Sequence, residues 1–297
     1  MNALQLLRQR YGDGEARALY ELIMQRRFGL SRTDLLLGKD TTLSANDKAE
    51  LQIIVDRVAK GEPVQYVLGC EEFCGHTFIV GPGALIPRPE TQQLVGLVRQ
   101  NVPLGSRVLD VGTGSGCIAI TLALDGYRVS AIDVSDDALQ IARRNAERLG
   151  AEVEFVKQDI KAPSPLPLWG SATKPQPLPP QRHSPKGGAG RGLSAIVSNP
   201  PYVCQSEAGE MEDNVLQYEP HLALFVPDDD PLLFYRAIAD FGRDCLADEG
   251  WLFFEANRLY CNQVGELLRQ RGYEDVEVGK DQFDNDRFVT GRWRRNS

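Results

Sequence analysis

The stretch RVLDVGTGSGCIAITL occupies residues 107–122 of this 297-residue chain. A short apolar run passes directly into glycines at three alternate positions, and an apolar run with helical character follows them. This order of strand, glycine loop and helix is typical of an open parallel sheet, which binds nucleotide-like ligands at the carboxyl ends of its strands. A dinucleotide fingerprint requires Gly-x-Gly-x-x-Gly, whereas Cys117 stands where its third glycine would be. The spacing therefore argues against a dinucleotide.

The glycine loop is the first candidate binding site. Gly112, Gly114 and Gly116 carry no side chain, and Thr113 and Ser115 stand between them, so the backbone can approach a ligand closely. The N-terminus of the following helix offers amide N–H groups to a carboxylate. Together these properties suit the methionine part of S-adenosylmethionine.

Two acidic residues at later strand ends complete a candidate nucleoside site. Asp133 ends the next predicted strand, where a carboxylate can accept hydrogen bonds from both ribose hydroxyls. Asp159 closes the third strand, where an acceptor meets the exocyclic amine of adenine, and Ile160 beside it can pack on the ring. An aspartate at a strand end is by itself more often a turn or cap residue. The glycine loop and both acids in register with one alternating fold favour nucleoside binding.

A second chemical motif, Asn199-Pro200-Pro201-Tyr202, directly follows the predicted strand 194–198. The two prolines fix φ and remove two backbone donors, so the carbonyl groups there are rigid. Asn199 adds a side-chain carbonyl acceptor beside the Pro200 carbonyl, and Tyr202 offers a flat face for stacking. This motif predicts a site that holds a planar NH2 group.

The rest of the chain alternates strands and helices. Strands are predicted at 107–111, 128–133, 152–156, 194–198, 250–255, 274–279 and 287–291. Helix-like stretches such as 136–148 lie between most of them, which predicts an α/β fold with a mainly parallel sheet covered on both faces.

The sequence predicts three parts in all. Residues 1–60 show helical spacing and form a small helical domain, which we expect to dock the substrate. Residues 61–90 alternate aromatic and β-branched residues with Gly and Pro and are expected to form a β-hairpin linker. Residues 91–297 form the main domain. Within it, 161–192 hold 8 prolines, 5 glycines and no acidic residue, which predicts a mobile surface insertion.

Composition limits the partners and the compartment. Lys+Arg 33 against Asp+Glu 41 give a net charge of -8, which does not favour stable binding to nucleic acid or to an anionic membrane. No apolar run reaches the length of a membrane span, and the N-terminus lacks the apolar core of a secretory signal. Six scattered cysteines are typical of reduced thiols and predict neither a disulfide scaffold nor a metal site. We therefore expect a cytoplasmic protein.

These motifs resemble those of class I S-adenosylmethionine-dependent methyltransferases, and more closely the HemK/PrmC family of release factor glutamine methyltransferases. The landmarks occur in that family's order at residues 61–66 (GEPVQY), 86–91 (IPRPET), 108–117 (VLDVGTGSGC), 197–202 (VSNPPY) and 218–224 (YEPHLAL). They cover nearly the full chain apart from 161–192. The family continues the second landmark with Glu, whereas this chain has Gln92.

The resemblance implies a Rossmann-like, mainly parallel seven-stranded sheet and a role in translation termination. It implies methylation of the side-chain amide nitrogen of the glutamine in the Gly-Gly-Gln motif of peptide chain release factors. Residues 112–116, Asp133, Asp159, Ile160 and Asn199 are then expected to bind or border S-adenosylmethionine. Asn199, Pro200, Pro201 and Tyr202 are expected to hold the glutamine, with Asn199, Pro200 and Tyr202 serving catalysis.

Two other functions stay open from the sequence. Methyltransferases that act on exocyclic amines of nucleic acid bases also use an Asn/Asp-Pro-Pro-Tyr/Phe motif, although they must extract the base and hold phosphates with basic residues. Residues 201–255 hold 13 acidic and 2 basic residues, a balance that fits a protein substrate better than a polyanion. A non-catalytic binding module on the same fold is the other alternative.

Overall fold

The computed structural model describes residues 2–162 and 192–295. The prediction of a mobile insertion over 161–192 therefore lies almost entirely outside the described residues. Within the described part, no helix is both long enough and apolar enough to span a bilayer. All six cysteines lie in this part and are free thiols.

The N-terminal residues form a helical unit around one apolar core. Its helices are α1 Ala3–Leu7, α2 Asp13–Phe28, α3 Arg32–Leu36, α4 Ala45–Ala59 and α5 Val64–Leu68, with a 3-10 turn at Lys39–Thr42. Ser31 begins α3 by accepting a hydrogen bond from the Asp34 N–H, and the Asp34 carboxylate accepts one from the Ser31 N–H. The fully buried side chains of Leu7, Ile23 and Val55 lie at the centre of this core.

A short hairpin follows the helical unit. Strands β1 Cys70–Phe73 and β2 His76–Ile79 pair antiparallel. The linker predicted over 61–90 is thus a hairpin only in this stretch, because Val64–Leu68 form a helix that ends at Gly69 with φ 73°. A positive φ is the usual glycine termination of a helix, and it separates α5 from the hairpin.

The remaining strands form a seven-stranded sheet. They are β3 Arg107–Val111, β4 Arg128–Asp133, β5 Val153–Lys157, β6 Leu193–Ser198, β9 Leu246–Glu255, β10 Tyr273–Lys280 and β11 Asp286–Trp293, while β7 Val203–Cys204 and β8 Phe225–Val226 form a separate pair. The order is β10-β11-β9-β6-β3-β4-β5, and only β11 runs antiparallel to its neighbours. The predicted mainly parallel sheet of seven strands is confirmed.

Helices cover both faces of the sheet. They are α6 Pro89–Asn101, α7 Cys117–Leu124, α8 Asp136–Leu149, α9 Asp213–Tyr218, α10 His221–Leu224, α11 Leu233–Cys245 and α12 Cys261–Gln270, with a 3-10 helix at Gln205–Glu210. One buried cluster joins the sheet to α6, α7 and the hairpin, and a second joins its other face to α11 and α12. Because β3, β4, β5, β6 and β9 are parallel, the segments that follow them meet at one edge of the sheet.

Candidate active site

A cavity opens at this carboxyl edge of the sheet. The segments that follow β3, β4, β5 and β6 line it, together with the strip that precedes α6 and the helix α10. Its lining consists of residues 83–88, 91, 111–115, 117–118, 132–135, 138, 158–161, 198–201, 220, 222–223, 234 and 238. Thr113, Gly114, Asp133, Asp159, Ile160 and Asn199 are all among them, so most of the predicted site residues lie around one space.

The three loop glycines have two different environments. All have positive φ, of 75° at Gly112, 54° at Gly114 and 82° at Gly116. A Cβ added to Gly112 or Gly114 would meet no protein atom within 4 Å, whereas one on Gly116 would lie 2.8 Å from Ile120 Cδ1 and 3.1 Å from Ala142 Cβ. Gly116 does not line the cavity. The first two glycines thus face the cavity, and Gly116 permits close packing of α7 on α8.

Asp110 lies fully buried beneath the glycine loop. Its Oδ2 accepts a hydrogen bond from the Thr113 hydroxyl at 2.7 Å, and its Oδ1 has no partner among the described residues. Burial raises the pKa of Asp110 to about 7, against the lowering effect of the Thr113 hydrogen bond. The Thr113 side chain therefore fixes the loop from below and leaves its backbone to face the cavity.

Asp133 is held at the edge of the cavity by the backbone. Its Oδ2 accepts from the Gly114 N–H and its Oδ1 from the Ser135 N–H, both at 2.9 Å. Burial raises the pKa of Asp133, while these backbone donors act in the opposite direction. Each oxygen keeps a further lone pair, so the carboxylate can still accept from two hydroxyl groups.

Asp159 and Ile160 form another part of the cavity wall. The Asp159 Oδ1 accepts from the Lys161 N–H at 2.9 Å, and the Ile160 side chain packs against the second buried cluster. The Lys161 ammonium lies 5.5 Å from the centre of the Phe234 ring. This wall combines an acceptor with apolar surface, which suits a flat polar ring.

The Asn-Pro-Pro-Tyr segment approaches the cavity with only its first three residues. Asn199 Nδ2 donates to Thr91 Oγ1 at 3.2 Å, and Pro200 and Pro201 line the cavity. Tyr202 lies outside the lining, because its ring packs in the second buried cluster and its hydroxyl donates to Glu255 Oε1 at 3.4 Å. Burial raises the pKa of Tyr202.

Glu255 and Thr91 were not predicted as functional residues. Glu255, at the end of β9, is 1% exposed, and its Oε2 accepts from the Thr91 hydroxyl at 2.7 Å. Burial raises the pKa of Glu255 to about 7, against the Thr91 hydrogen bond and the positive charge of Arg287. In the sequence Glu255 shows only as a strand-end residue and Thr91 as part of a landmark, so no local pattern indicates their contact.

Another buried acid, Glu219, joins two segments of the cavity wall. It is 3% exposed, and it accepts from the Ile86 N–H at 3.1 Å and from the Arg88 guanidinium at 2.5 Å. Gln92, which replaces the family's Glu, accepts from the Cys74 N–H at 3.0 Å and therefore faces the hairpin. It does not line the cavity.

Comparison with known proteins finds a matching family for an N-terminal part of the chain and for part of the sheet domain. Residues 1–69 match the PrmC N-terminal domain, and residues 108–169 match a methyltransferase domain. The chain is 45% identical over 288 residues to the release factor glutamine methyltransferase of Bacteroides thetaiotaomicron, covering 96% of each chain. It is 35% identical to that of Flavobacterium psychrophilum, covering 98% of this chain and 96% of the relative. A methyltransferase structure from Pyrococcus furiosus has a TM-score of 0.50 and 18% identity, covers 85% of this chain and all of its own length, and is similar in fold.

Proposed function

The chain belongs to the release factor glutamine methyltransferase family, and from that membership we propose its reaction. It transfers a methyl group from S-adenosylmethionine to the side-chain amide nitrogen of the glutamine in the Gly-Gly-Gln motif of peptide chain release factors. The observation that carries this proposal is the position of Asn199, which lines the same cavity as the glycine loop and Asp133. One space therefore offers acceptors for a planar amide and a cradle for a nucleoside.

The residues present fit S-adenosylmethionine. Gly112 and Gly114 leave space where side chains would stand, and their loop leads into the N-terminus of α7, which attracts a carboxylate. Asp133 can accept from ribose hydroxyls, and Asp159 with Ile160 can hold an adenine ring. When bound, the cofactor supplies a methyl group on a positively charged sulfur.

Asn199 and Pro200 prepare the nucleophile. An amide nitrogen shares its lone pair with its carbonyl group, so it attacks poorly while it stays planar. Two N–H groups that donate to the Asn199 side-chain oxygen and the Pro200 carbonyl oxygen favour a pyramidal nitrogen and fix its direction. Positive charge develops on this nitrogen, and the two fixed carbonyl dipoles stabilise it, a type of contribution worth about 3 kcal/mol for each group. No acid is needed, since the leaving group is a neutral thioether, and the methylated nitrogen returns to a neutral amide by releasing one of its two protons to water.

Labelled methyl transfer tests the proposal. We expect label from S-adenosylmethionine to enter purified release factor and not tRNA, rRNA or DNA. A release factor whose motif glutamine is changed to alanine is the control and should take up no label. Incorporation into nucleic acid alone would instead support action on a base amine, and no incorporation into any acceptor would support a binding module.

A variant of Asn199 tests its role separately. Asn199→Ala should lower turnover by about 100-fold, since one charge-stabilising group is lost, while the affinity for S-adenosylmethionine changes little. Calorimetry gives the affinity and label transfer gives the turnover. Equal losses in both would contradict a role in orienting the substrate amide.

A further inference from the structure

The direction in which the Asn199 amide points decides whether it can accept a hydrogen bond from a substrate. Its oxygen and its NH2 group have nearly the same shape, so packing alone does not select between the two orientations. If the NH2 group faced the cavity, it would repel the N–H groups of an incoming amide. Some feature of the protein must therefore fix this orientation.

Thr91 supplies that feature, because its hydroxyl group has a single proton. The hydroxyl donates this proton to Glu255 Oε2 at 2.7 Å, and its lone pairs then face Asn199, whose Nδ2 donates to it at 3.2 Å. A reversed Asn199 would set its oxygen against a hydroxyl oxygen that has no proton to give. This arrangement would set two acceptors against each other at a partly buried contact, and such a loss of a hydrogen bond typically costs about 1–3 kcal/mol.

We propose that Thr91 and Glu255 are positioning residues for methyl transfer. A one-way chain of hydrogen bonds, from Asn199 through the Thr91 hydroxyl to the Glu255 carboxylate, keeps the Asn199 oxygen turned towards the cavity. This inference rests on the proposed function and assigns the two buried residues a role in it. Neither residue needs to touch the substrate.

The direction of this chain of hydrogen bonds depends on the ionised form of Glu255. As a carboxylate, Glu255 accepts from Thr91 on one oxygen and from Tyr202 on the other. Arg287 and Glu90 are the charged residues that act on it from β11 and α6, with opposite effects. A protonated Glu255 can instead donate to Thr91, which turns the Thr91 proton towards Asn199 and favours the reversed orientation of the amide. Since the pKa of Glu255 is raised to about 7, turnover should fall as the pH drops through this value.

The first test compares two replacements of Thr91. Thr91→Val keeps the size of the side chain but removes both the orientation signal and the hydrogen bond that anchors the Asn199 amide. The amide is then misplaced as well as free to reverse, and kcat should fall by up to about 100-fold with little change in the KM for S-adenosylmethionine. Thr91→Ser restores the hydroxyl and should recover kcat to within about threefold of the wild type. Thr121→Val is the matched control, because Thr121 is also fully buried on a helix and its hydroxyl has no hydrogen-bond partner among the described residues. The proposal would be overturned if Thr91→Val kept the wild-type kcat, or if Thr91→Ser lost as much kcat as Thr91→Val.

The second test uses pH and does not depend on how well Thr91→Val folds. In the wild type, kcat should fall by about tenfold between pH 8 and pH 6, as one group with a pKa near 7 becomes protonated. Glu255→Gln preserves the shape and cannot titrate, so its kcat should stay level over this range. Measuring both proteins with the same release factor cancels any titration of the substrate. A Glu255→Gln profile that falls like the wild type would contradict the role of Glu255.

The third test needs neither a methyl donor nor a release factor. Nitrogen-15 NMR can follow the side-chain amide of Asn199, assigned by its loss in Asn199→Asp. The signal should shift with pH near 7 in the wild type and stay constant in Thr91→Val and Glu255→Gln. A failure of methyl transfer in the wild type would refute the proposed function, whereas an Asn199 signal that does not respond to pH would refute the hydrogen-bond chain.

Discussion

The contrast between Gly114 and Gly116 gives a prediction that separates binding from folding. The perturbation is one added methyl group, introduced by Gly114→Ala or by Gly116→Ala. Both positions have positive φ, 54° and 82°, so alanine costs about 1–2 kcal/mol of backbone strain at each of them. The two variants differ in the space that receives the added methyl group.

At Gly116 the new Cβ meets the protein. Ile120 Cδ1 at 2.8 Å is the end of a flexible side chain and can move, but Ala142 Cβ at 3.1 Å and Ala142 Cα at 3.3 Å belong to α8. Overpacking of this kind costs about 1–3 kcal/mol. With the backbone strain, Gly116→Ala should lose about 3 kcal/mol of stability, which lowers Tm by roughly 6–12 °C in a domain of this size.

At Gly114 the new Cβ enters the cavity. It meets no protein atom within 4 Å, so the loss of stability should stay near the backbone cost of about 1–2 kcal/mol. The methyl group occupies space assigned to the cofactor, and an overpacking cost of about 1–3 kcal/mol there weakens binding by about 5- to 150-fold.

Thermal unfolding and titration calorimetry with S-adenosylmethionine measure the two effects on the same samples. Each variant is the control for the other, since the chemical change is identical. The reasoning is refuted if Gly114→Ala keeps full affinity, or if the two variants lose the same stability and the same affinity.

Three further changes test other parts of the site. Asp133→Ala should weaken S-adenosylmethionine binding by about 10- to 100-fold in calorimetry, because a charged acceptor for two hydroxyls is lost; unchanged affinity would remove Asp133 from the site. Asp110 has an ordinary pKa of 3.8 that is raised to about 7 in the fold, so the folded chain keeps a proton that the unfolded chain releases, and stability falls as pH rises from about 4 to 7. The Tm of Asp110→Asn should therefore fall less than that of the wild type between pH 5 and pH 8. An equal fall in both proteins would contradict the raised pKa of Asp110. Glu219→Gln removes the charge from a buried carboxylate that pairs with Arg88 and should lower the free energy of unfolding by about 1–3 kcal/mol in denaturant. Glu50→Gln, in an exposed pair, should lower it by less than about 1 kcal/mol. Equal losses would show that the buried pair stabilises the fold no more than an exposed one.

The sequence predicted the sheet well because its strands are local patterns. The predicted strand 128–133 is β4 Arg128–Asp133, and the predicted helix 136–148 is α8 Asp136–Leu149. The helix α5 was missed, since a five-residue, mostly apolar run between Pro63 and Gly69 fits a strand or a helix equally well. Its termination by a glycine with positive φ became evident only from the backbone.

The candidate site was only partly predictable for a different reason. Residues that follow parallel strands must meet at one edge, so the grouping of Asp133, Asp159 and Asn199 could be inferred from strand order. The Thr91–Glu255 contact joins positions 164 residues apart, and it depends on how α6 packs across β9. The inward turn of Tyr202 likewise depends on the apolar cluster beneath it. Such contacts are set by tertiary packing, which no local spacing records.

The order of the segments around the cavity divides the two reactants between separate halves of the chain. Everything assigned to the nucleoside except Asn199 lies before residue 162, whereas the corner that receives the amide begins after residue 192. These halves meet along the pairing of β3 with β6 and, at the cavity, in the hydrogen bond between Asn199 and Thr91. We therefore expect a donor-binding piece and an acceptor-binding piece, each inactive alone, to regain methyl transfer when they are mixed in a fragment-complementation assay.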